Sequence, residues 1–336
     1  MSEKLMNLLA ERGFLLADGA TGTNLFNMGL EAGEAPEMWN DQHPDRIRTL
    51  YQNAVDAGSD LFLTNSFGGN ASRLKLHNAQ SRARELSRIA AEIGREVADT
   101  TDRPIIVAGS MGPTGDIMEP VGTLSHASAV EIFEEQATGL LEGGVDLLWV
   151  ETISAPEEFA AAAEAIANVG ASWVGTMSFD TAGRTMMGVT SAAMVEMVKG
   201  LNHQPLGFGA NCGVGASDLL RTVLGFREAG ADLPIVAKGN AGIPKYHDGH
   251  IHYDGTPELM GEYAVMARNC GAKIIGGCCG TLPDHLRAMR KALDTQPMGE
   301  APSLEEIAAR MEPFSSENDG TGDQPTPTRQ RRRRRG

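Results

Sequence analysis

Three cysteines in the sequence are placed where their thiols could share one metal ion. Cys212 ends the apolar run LGFGANCG, and Cys278 and Cys279 end the run KIIGGCCG. Thiolates suit Zn2+, and a catalytic zinc site typically keeps one of its four tetrahedral positions open. Adjacent strand residues point to opposite faces, so Cys278 and Cys279 can meet one ion only if the backbone leaves strand geometry there. The flanking residues Gly276, Gly277 and Gly280 permit that departure.

The alternative is that these cysteines are small buried hydrophobic residues, as free cysteines often are. We assign that role to Cys270, which lies in a helical pattern. Four cysteines in 336 residues do not make a disulfide scaffold. The glycines and the common position at the ends of apolar runs favour a metal site for the other three.

Apolar runs alternate with helical patterns along the chain. Eight runs are almost continuously apolar, as strands covered on both faces should be. This alternation indicates parallel strands joined by crossover helices. Eight units predict a single (β/α)8 TIM barrel of the α/β class. The alternative is an open, doubly wound sheet. Its first turn would be DGATGTN, which lacks the glycine spacing of a dinucleotide-binding site. The predicted strands lie within Phe14–Ala20, Asp60–Phe67, Pro104–Gly112, Val145–Ile153, Ser172–Phe179, Leu206–Gly213, Pro234–Gly242 and Lys273–Gly280.

The predicted helices fill the intervals between these runs. In one interval Leu86, Ile89, Ala90, Ile93 and Val97 fall at helical spacing. The other predicted helices are Arg46–Ala57, Ala127–Leu141, Glu157–Ala167, Ser191–Leu201, Ser217–Ala229, Pro257–Asn269 and Pro283–Ala292.

The C-terminal part differs in composition from the rest. We predict a barrel over residues 1–297, a short helical extension over 298–312 and a disordered Arg-rich tail over 313–336. The tail holds six arginines and three acids, so it carries +3 of a total formal charge of −15 and leaves −18 on the body. It is either a solvated tail or a docking arm for an acidic partner or polyanion.

Charge and hydropathy exclude several classes of protein. The acidic body argues against nucleic acid as the main partner. No apolar run approaches the length of a membrane span. Glu11 and Arg12 interrupt the N-terminal apolar run and no cleavage-like site follows it, so we expect no signal peptide and a cytoplasmic location.

Polar residues collect at the carboxyl ends of the predicted strands, which is where a (β/α)8 barrel carries its active site. Asp18 and Glu151 could form an acid/base pair, hold a cationic ammonium group, or cap helices. His247, His250 and His252 lack a zinc-binding spacing, and we expect an exposed loop there. The residues at the predicted strand ends are Asp18, Thr64, Asn65, Glu151, Cys212, Asn240, Cys278 and Cys279.

The motifs DGATGTNL, TNSFGGNASRLKLH, VET, GANCGVG and GGCCGT, in this order and spacing, resemble the zinc-dependent homocysteine S-methyltransferase family. This family includes betaine-homocysteine methyltransferase, S-methylmethionine-dependent enzymes and the homocysteine-binding domain of cobalamin-dependent methionine synthase. The resemblance runs from about Phe14 to Ala292. It implies a (β/α)8 barrel, one Zn2+, homocysteine as acceptor and methionine as product.

The resemblance also implies roles for individual residues. Cys212, Cys278 and Cys279 would bind the zinc through which catalysis proceeds, and Asp18 and Glu151 would hold the homocysteine ammonium. A metal deprotonates a coordinating thiol, so no general base is then required. The other predicted substrate-site residues are Gly19 and Ala20, whose N–H groups would face the carboxylate, Thr64 and Asn65 at the end of the second strand, and Asn240 near the metal.

The methyl donor must be inferred from the aromatic residues, because aromatic faces typically hold quaternary ammonium groups such as that of glycine betaine. The chain has only 17 aromatic residues. Thr152 follows Glu151 where the betaine branch commonly has an aromatic residue, and Trp39 is the aromatic candidate on the first loop. We predict methylcobalamin on a separate corrinoid protein, as in a split methionine synthase. The docking-arm alternative for the basic tail would serve contact with that protein. The alternatives are glycine betaine or S-methylmethionine as donor, another thiol as acceptor, and a non-catalytic barrel with structural zinc.

Overall fold

The computed structural model describes residues 2–180, 182–247 and 250–316. The chain forms ten strands, numbered β1 to β10 along the described sequence and given with their ranges below. Eight of them are parallel and form a nearly closed barrel, in the order β1-β10-β7-β6-β5-β4-β3-β2. The other two, β8 and β9, form a separate antiparallel pair between β7 and β10 in the chain. The predicted (β/α)8 barrel is therefore confirmed. The strands are β1 (Leu15–Leu16), β2 (Leu61–Leu63), β3 (Ile106–Met111), β4 (Leu147–Ile153), β5 (Trp173–Met177), β6 (Gly207–Cys212), β7 (Ile235–Gly239), β8 (Lys245–His247), β9 (His250–His252) and β10 (Ala272–Gly277).

The helices surround the barrel, and each predicted helix is present with its ends shifted by a few residues. The α-helices are α1 (Ser2–Arg12), α2 (Thr21–Asn27), α3 (Trp39–Gln42), α4 (Pro44–Asp56), α5 (Ala71–Leu74), α6 (Ala83–Asp99), α7 (His126–Glu142), α8 (Pro156–Asn168), α9 (Ser191–Lys199), α10 (Ala216–Glu228), α11 (Pro257–Cys270), α12 (Pro283–Thr295) and α13 (Leu304–Arg310). Short 3-10 helices span Pro36–Met38, Lys75–His77 and Gln80–Arg82.

The barrel interior is filled by apolar side chains at alternate strand positions, because successive strand residues point to opposite faces. Helix α1 closes the end of the barrel opposite the carboxyl ends of the strands, and the sequence analysis did not predict this helix. Its Leu5, Leu8 and Leu9 recur at helical spacing and pack into the inner cluster. The strand residues of that cluster are Leu15, Ala17, Leu61, Leu63, Ile106, Ala108, Leu147, Trp149, Val174, Val236 and Ile274.

Buried Asp60 joins the first and second strands, where the barrel closes. Its backbone N–H donates to the Leu16 carbonyl at 2.7 Å, and its carboxylate accepts the Leu16 N–H at 2.8 Å. Arg12, Arg103 and Arg290 form ion pairs with the same carboxylate. Since a buried charge is costly unless it is paired, the arginines allow an acid to serve as the link.

The chain beyond the barrel runs back along α10. Helix α13 has a capping box, in which Ser303 and Glu306 each accept the backbone N–H of the other. Farther on, Ser315 donates to the Asp218 carboxylate from its N–H and its hydroxyl, at 3.0 and 3.1 Å, and Arg221 donates to the Ser316 carbonyl at 3.0 Å. Residues 313–316, the start of the segment predicted to be disordered, thus lie against α10, whereas 317–336 are outside the described residues.

The segment that carries His247, His250 and His252 forms the two short strands β8 and β9 where the sequence analysis expected a loop. The side chains of these histidines are outside the part of the chain that the structure describes. In the described part, no helix has the length and apolar composition needed to cross a membrane.

Candidate metal centre and substrate pocket

The Sγ atoms of Cys212, Cys278 and Cys279 all lie within 4.8 Å of one another. Those of Cys212 and Cys279 are 3.9 Å apart. A tetrahedral ion with metal–sulfur bonds of about 2.3 Å separates its sulfur ligands by roughly 3.8 Å, so the cluster fits zinc. Cys270 is buried in α11, outside this group, as the sequence analysis expected.

The backbone leaves strand geometry at the cysteines, as the flanking glycines predicted. Cys212 has a φ of +62°, in the left-handed region that few residues other than glycine adopt. Cys278 and Cys279 follow the last residue of β10, and Gly280 after them has a φ of +78°. A Cβ at Gly280 would lie 2.4 Å from the side chain of Tyr253, so both the conformation and the space require glycine there.

Two asparagines brace the cluster. Asn240 donates to the Gly213 carbonyl at 2.9 Å and accepts the Cys279 N–H at 3.0 Å, so it joins the loops that follow β6 and β10. Asn211 lies one residue before Cys212, and its amide nitrogen is 3.8 Å from the Cys278 sulfur. Both asparagines are buried, which fixes the side chains around the sulfur atoms.

The three thiols influence one another's protonation. Hydrogen bonds from Cys212 and Cys278, together with one from Tyr253, lower the pKa of Cys279. Hydrogen bonds to Cys278 and Cys279 raise the pKa of Cys212. The cluster therefore favours one thiolate before any cation binds, and a divalent ion would supply the charge needed to deprotonate the others.

A cavity of about 410 Å³ opens in front of the cysteines at the carboxyl end of the barrel. The predicted residues that line it are Asp18, Gly19, Ala20, Asn65, Glu151, Cys212, Cys278 and Cys279. Gly19 is fitted closely against the chain, since a Cβ there would lie 2.7 Å from the Thr281 carbonyl oxygen. The Ala20 N–H already donates to that carbonyl at 3.2 Å.

Two other predicted substrate residues are not among those lining the cavity. Thr64 is buried; its hydroxyl accepts the Ser110 N–H at 3.0 Å and shares a hydrogen bond of 2.6 Å with Ser66. Asn240 is committed to the bracing contacts described above. Direct substrate contacts by Thr64 and Asn240 stay predictions.

The sequence analysis missed Lys238, which lies inside the barrel on β7 and lines the cavity. Its side chain is 3% exposed, and its Nζ is 2.6 Å from Asp18 Oδ1. The other Asp18 oxygen accepts the Leu63 N–H at 2.8 Å. Lys238 could have been found as the one charged residue of the apolar run PIVAKG, because a lysine is rarely buried without a partner.

Glu151 lies at the end of β4 and faces the same cavity. It accepts a hydrogen bond from the Ser110 hydroxyl. Burial raises its pKa to about 7, against the lowering effects of Lys238 and of the Ser110 hydrogen bond; the charges of Cys278 and Asp18 raise it further. Glu151 is therefore poised to gain or lose a proton near neutral pH.

Thr152, next to Glu151, has a φ of +63°, a conformation that is costly for a β-branched residue. Its N–H donates to the Asn211 side chain at 2.9 Å, and its hydroxyl accepts from the same amide at 2.7 Å. Backbone strain of this kind is concentrated at functional sites, and here it lies between Glu151 and the cysteines.

The chain is similar to known proteins along most of its length. Residues 15–293 match the family described as homocysteine S-methyltransferase. The chain is 30% identical to a methionine synthase of Mycobacterium tuberculosis over 305 residues, which cover 86% of this chain and 25% of that protein. It is 31% identical to the Mycobacterium leprae methionine synthase over 318 residues, 88% of this chain and 26% of that protein. The chain thus spans about a quarter of the length of these relatives.

A solved structure shares the fold. The homocysteine methyltransferase MmuM from Escherichia coli, in its metallated form, superposes with a TM-score of 0.72 at 22% sequence identity, covering 86% of this chain and 99% of that one. Together with the match of residues 15–293, the comparisons show the family: the chain belongs to the homocysteine S-methyltransferases and is an enzyme of the methyltransferase class.

Proposed function

We propose that this enzyme is a zinc-dependent homocysteine S-methyltransferase that forms methionine, with methylcobalamin on a separate corrinoid protein as the methyl donor. The observation that carries the proposal is the cluster of three sulfur atoms within 4.8 Å of one another at the wall of a cavity that also holds Glu151. The cluster would hold the metal, and the cavity would hold an amino acid that carries a thiol.

The residues of the cavity have separate tasks in this proposal. Zinc bound by Cys212, Cys278 and Cys279 would lower the pKa of the substrate thiol and leave one coordination position for it. Glu151, as an anion, would bind the substrate ammonium. The Ala20 N–H already donates to the Thr281 carbonyl, so we assign the substrate carboxylate to the region of Gly19.

The cavity wall favours a donor other than a quaternary ammonium compound. Of the cavity-lining residues that the structure describes, Phe67 alone is a phenylalanine, tyrosine or tryptophan. Trp39, the aromatic candidate of the sequence analysis, is 2% exposed. His43 meets its ring edge-on, and the Arg46 guanidinium lies over it at 4.7 Å. A cage of several aromatic faces, which would hold betaine, is missing from the described wall.

The face around the cavity mouth suits a protein partner. Several large apolar side chains are exposed in the segments that follow β1, β2, β3 and β5, on the same face as the cavity; we call them the apolar rim. Leu76 belongs to both the rim and the cavity wall. Contiguous exposed apolar patches mark protein interaction sites, and we propose that the rim contributes to one. The apolar rim consists of Phe26, Leu76, Ile117, Val121, Met186 and Met187.

In the proposed split arrangement the methyl carrier is on another chain. The six arginines of the tail are a candidate contact for that carrier. Three reduced thiols in one cluster also fit a reducing compartment, and we propose the cytoplasm.

The test is methionine formation by zinc-loaded protein from homocysteine, with free methylcobalamin, glycine betaine and S-methylmethionine supplied in separate reactions. We expect turnover with methylcobalamin and none with the other two donors. Turnover with betaine or S-methylmethionine alone would overturn the donor assignment and retain the acceptor. No methionine from any donor, in a sample that retains zinc, would overturn the proposal.

The role of the tail is tested with the corrinoid carrier. A chain ending at Ser316 keeps the residues that contact α10 and removes the arginines. We expect this truncation to raise the KM for the carrier and to leave the KM for homocysteine unchanged. An unchanged KM for the carrier would count against the docking role.

A further inference from the structure

The floor of the cavity holds three buried charges, two negative and one positive. Asp18 and Glu151 are the carboxylates, and Lys238 is the cation between them; its pKa is raised by both acids against the effect of burial. Lys238 Nζ is 2.6 Å from Asp18, whereas no ion pair within 4.0 Å joins it to Glu151 in the described structure. Asp18 therefore already has a cationic partner supplied by the protein.

Gly276 makes room for this pair. Strand β10 lies between β7 and β1, and its Gly276 is the neighbour of Lys238 on β7. Asp18 follows β1 in the chain, on the other side of β10. A Cβ at Gly276 would lie 3.2 Å from Lys238 Cγ, 3.0 Å from the Asp18 carbonyl oxygen and 2.8 Å from Ala17 Cβ. The missing side chain lets Lys238 reach across a whole strand to Asp18.

We infer that Lys238 is a specificity-determining residue, which neutralises Asp18 and leaves Glu151 as the unpaired carboxylate beside this pair for the substrate ammonium. This inference rests on the proposed function and refines it, because the family resemblance gives Asp18 and Glu151 the same task. Asp18 then acts through Lys238: it holds the lysine away from Glu151.

The charge balance follows from this arrangement. With the Lys238–Asp18 pair in place, the floor carries one net negative charge from its carboxylates and lysine, which matches one substrate ammonium. Without the Asp18 charge, Lys238 would have Glu151 as its nearest anion and would repel the incoming ammonium. Such like-charge contacts in a buried site weaken binding strongly.

The test is a double-mutant cycle read by calorimetric binding to zinc-loaded protein. The probes are homocysteine and 4-mercaptobutanoate, which has the same thiol and carboxylate but no amino group. The variants are D18N, K238M, D18N/K238M, E151Q and E151Q/K238M. The preference for homocysteine over 4-mercaptobutanoate isolates the ammonium contact from thiol and metal effects.

We expect D18N to lower that preference by about 30-fold and D18N/K238M to recover most of the loss, since the double variant removes both members of the buried pair. E151Q should lose the preference and should not be rescued by K238M. A double variant as poor as D18N or poorer would overturn the inference, because it would mean that Asp18 binds the ammonium directly.

A matched control separates this role from a structural one. Asp218 and Arg221 form another buried ion pair, at 2.6 Å, with side chains 5% and 7% exposed and outside the cavity wall. D218N should lower the unfolding temperature without changing the preference for homocysteine. A changed preference in D218N would overturn the inference, because the loss of preference in D18N could then be explained by lower stability alone. Wild-type protein that binds no homocysteine would overturn the proposed function itself, an outcome distinct from a failed rescue.

Discussion

The side-chain oxygen of Asn240 accepts the backbone N–H of Cys279 at 3.0 Å. The amide nitrogen of the same residue donates to Gly213, next to Cys212 in the chain, at 2.9 Å. One buried side chain thus holds together two loops that carry sulfur ligands from different parts of the sequence. We therefore expect metal binding to depend on this brace as well as on the cysteines.

We expect N240A to lower the affinity for zinc by about 10- to 100-fold, the usual effect of removing a residue that orients metal ligands. Competition with a chromophoric chelator measures that affinity. N70A is the matched control, because Asn70 is another buried asparagine that caps a helix, α5, and donates to the carbonyls of Gly112 and Pro113. Equal zinc affinity in N240A and wild-type protein would contradict the bracing role.

Substituting the cysteines separates ligands from core residues. C212A, C278A and C279A should each lose most of the bound zinc, because each removes one of three sulfur atoms. C270A should keep a full complement of zinc, since Cys270 is fully buried in α11, apart from the cluster. The measurement is the zinc content of each variant by mass spectrometry after exhaustive dialysis. Zinc lost from C270A or retained by C212A would contradict the assignment of the ligands.

Much of the fold and of the metal site could be predicted from local patterns. Buried parallel strands are continuously apolar, so eight runs gave eight strands, and the carboxyl ends of those strands brought Cys212 and Cys279 to one face. The N-terminal helix was not predicted, although Leu5, Leu8 and Leu9 recur at helical spacing. The three leucines cover one end of the barrel, and that end is formed only when the distant strands come together in the folded chain.

The role of the buried Lys238 was not predicted for a related reason. Local sequence shows that Lys238 interrupts an apolar run, but its partner Asp18 is 220 residues away and becomes a neighbour only across β10. The strained conformation of Thr152 also depends on a distant residue, Asn211, whose side chain accepts the Thr152 N–H and donates to the Thr152 hydroxyl. Pairings across the barrel require the three-dimensional arrangement.

Binding of homocysteine should depend on pH through Glu151, whose pKa is raised to about 7. The carboxylate must be ionised to bind an ammonium group, so affinity is present above that pKa and falls as the pH drops through it. The groups around Glu151 are Lys238, Cys278, Cys279, Asp18 and Ser110. Because the bound ammonium favours the anion, the midpoint in the complex should lie below that of the free enzyme.

The measurement is the ratio of homocysteine to 4-mercaptobutanoate affinity between about pH 5.5 and pH 8.5. Both ligands carry the thiol, so its ionisation cancels in the ratio. We expect the ratio to fall up to about tenfold per pH unit on the acid side, and to be flat in E151Q. A ratio that does not change with pH in the wild-type protein would exclude Glu151 as the ammonium partner.

Truncation should reveal the contribution of residues 312–316 to stability. A chain ending at Met311 removes Phe314, whose ring lies 4.5 Å from the Arg221 guanidinium, and both Ser315 hydrogen bonds to Asp218. Loss of partners for a buried charged pair should cost about 1–3 kcal/mol of unfolding free energy. A chain ending at Ser316 is the control and should unfold at the temperature of the full chain; equal unfolding temperatures for the two truncations would contradict a stabilising contact.

X-ray absorption at the zinc edge tests most directly whether the three cysteines hold a zinc ion with one position for the substrate thiol. The protein as purified should show three sulfur ligands and one lighter ligand, at the distances of a tetrahedral site. Addition of homocysteine should convert the shell to four sulfur atoms. A shell that homocysteine leaves unchanged, or one with four protein ligands from the start, would contradict the account.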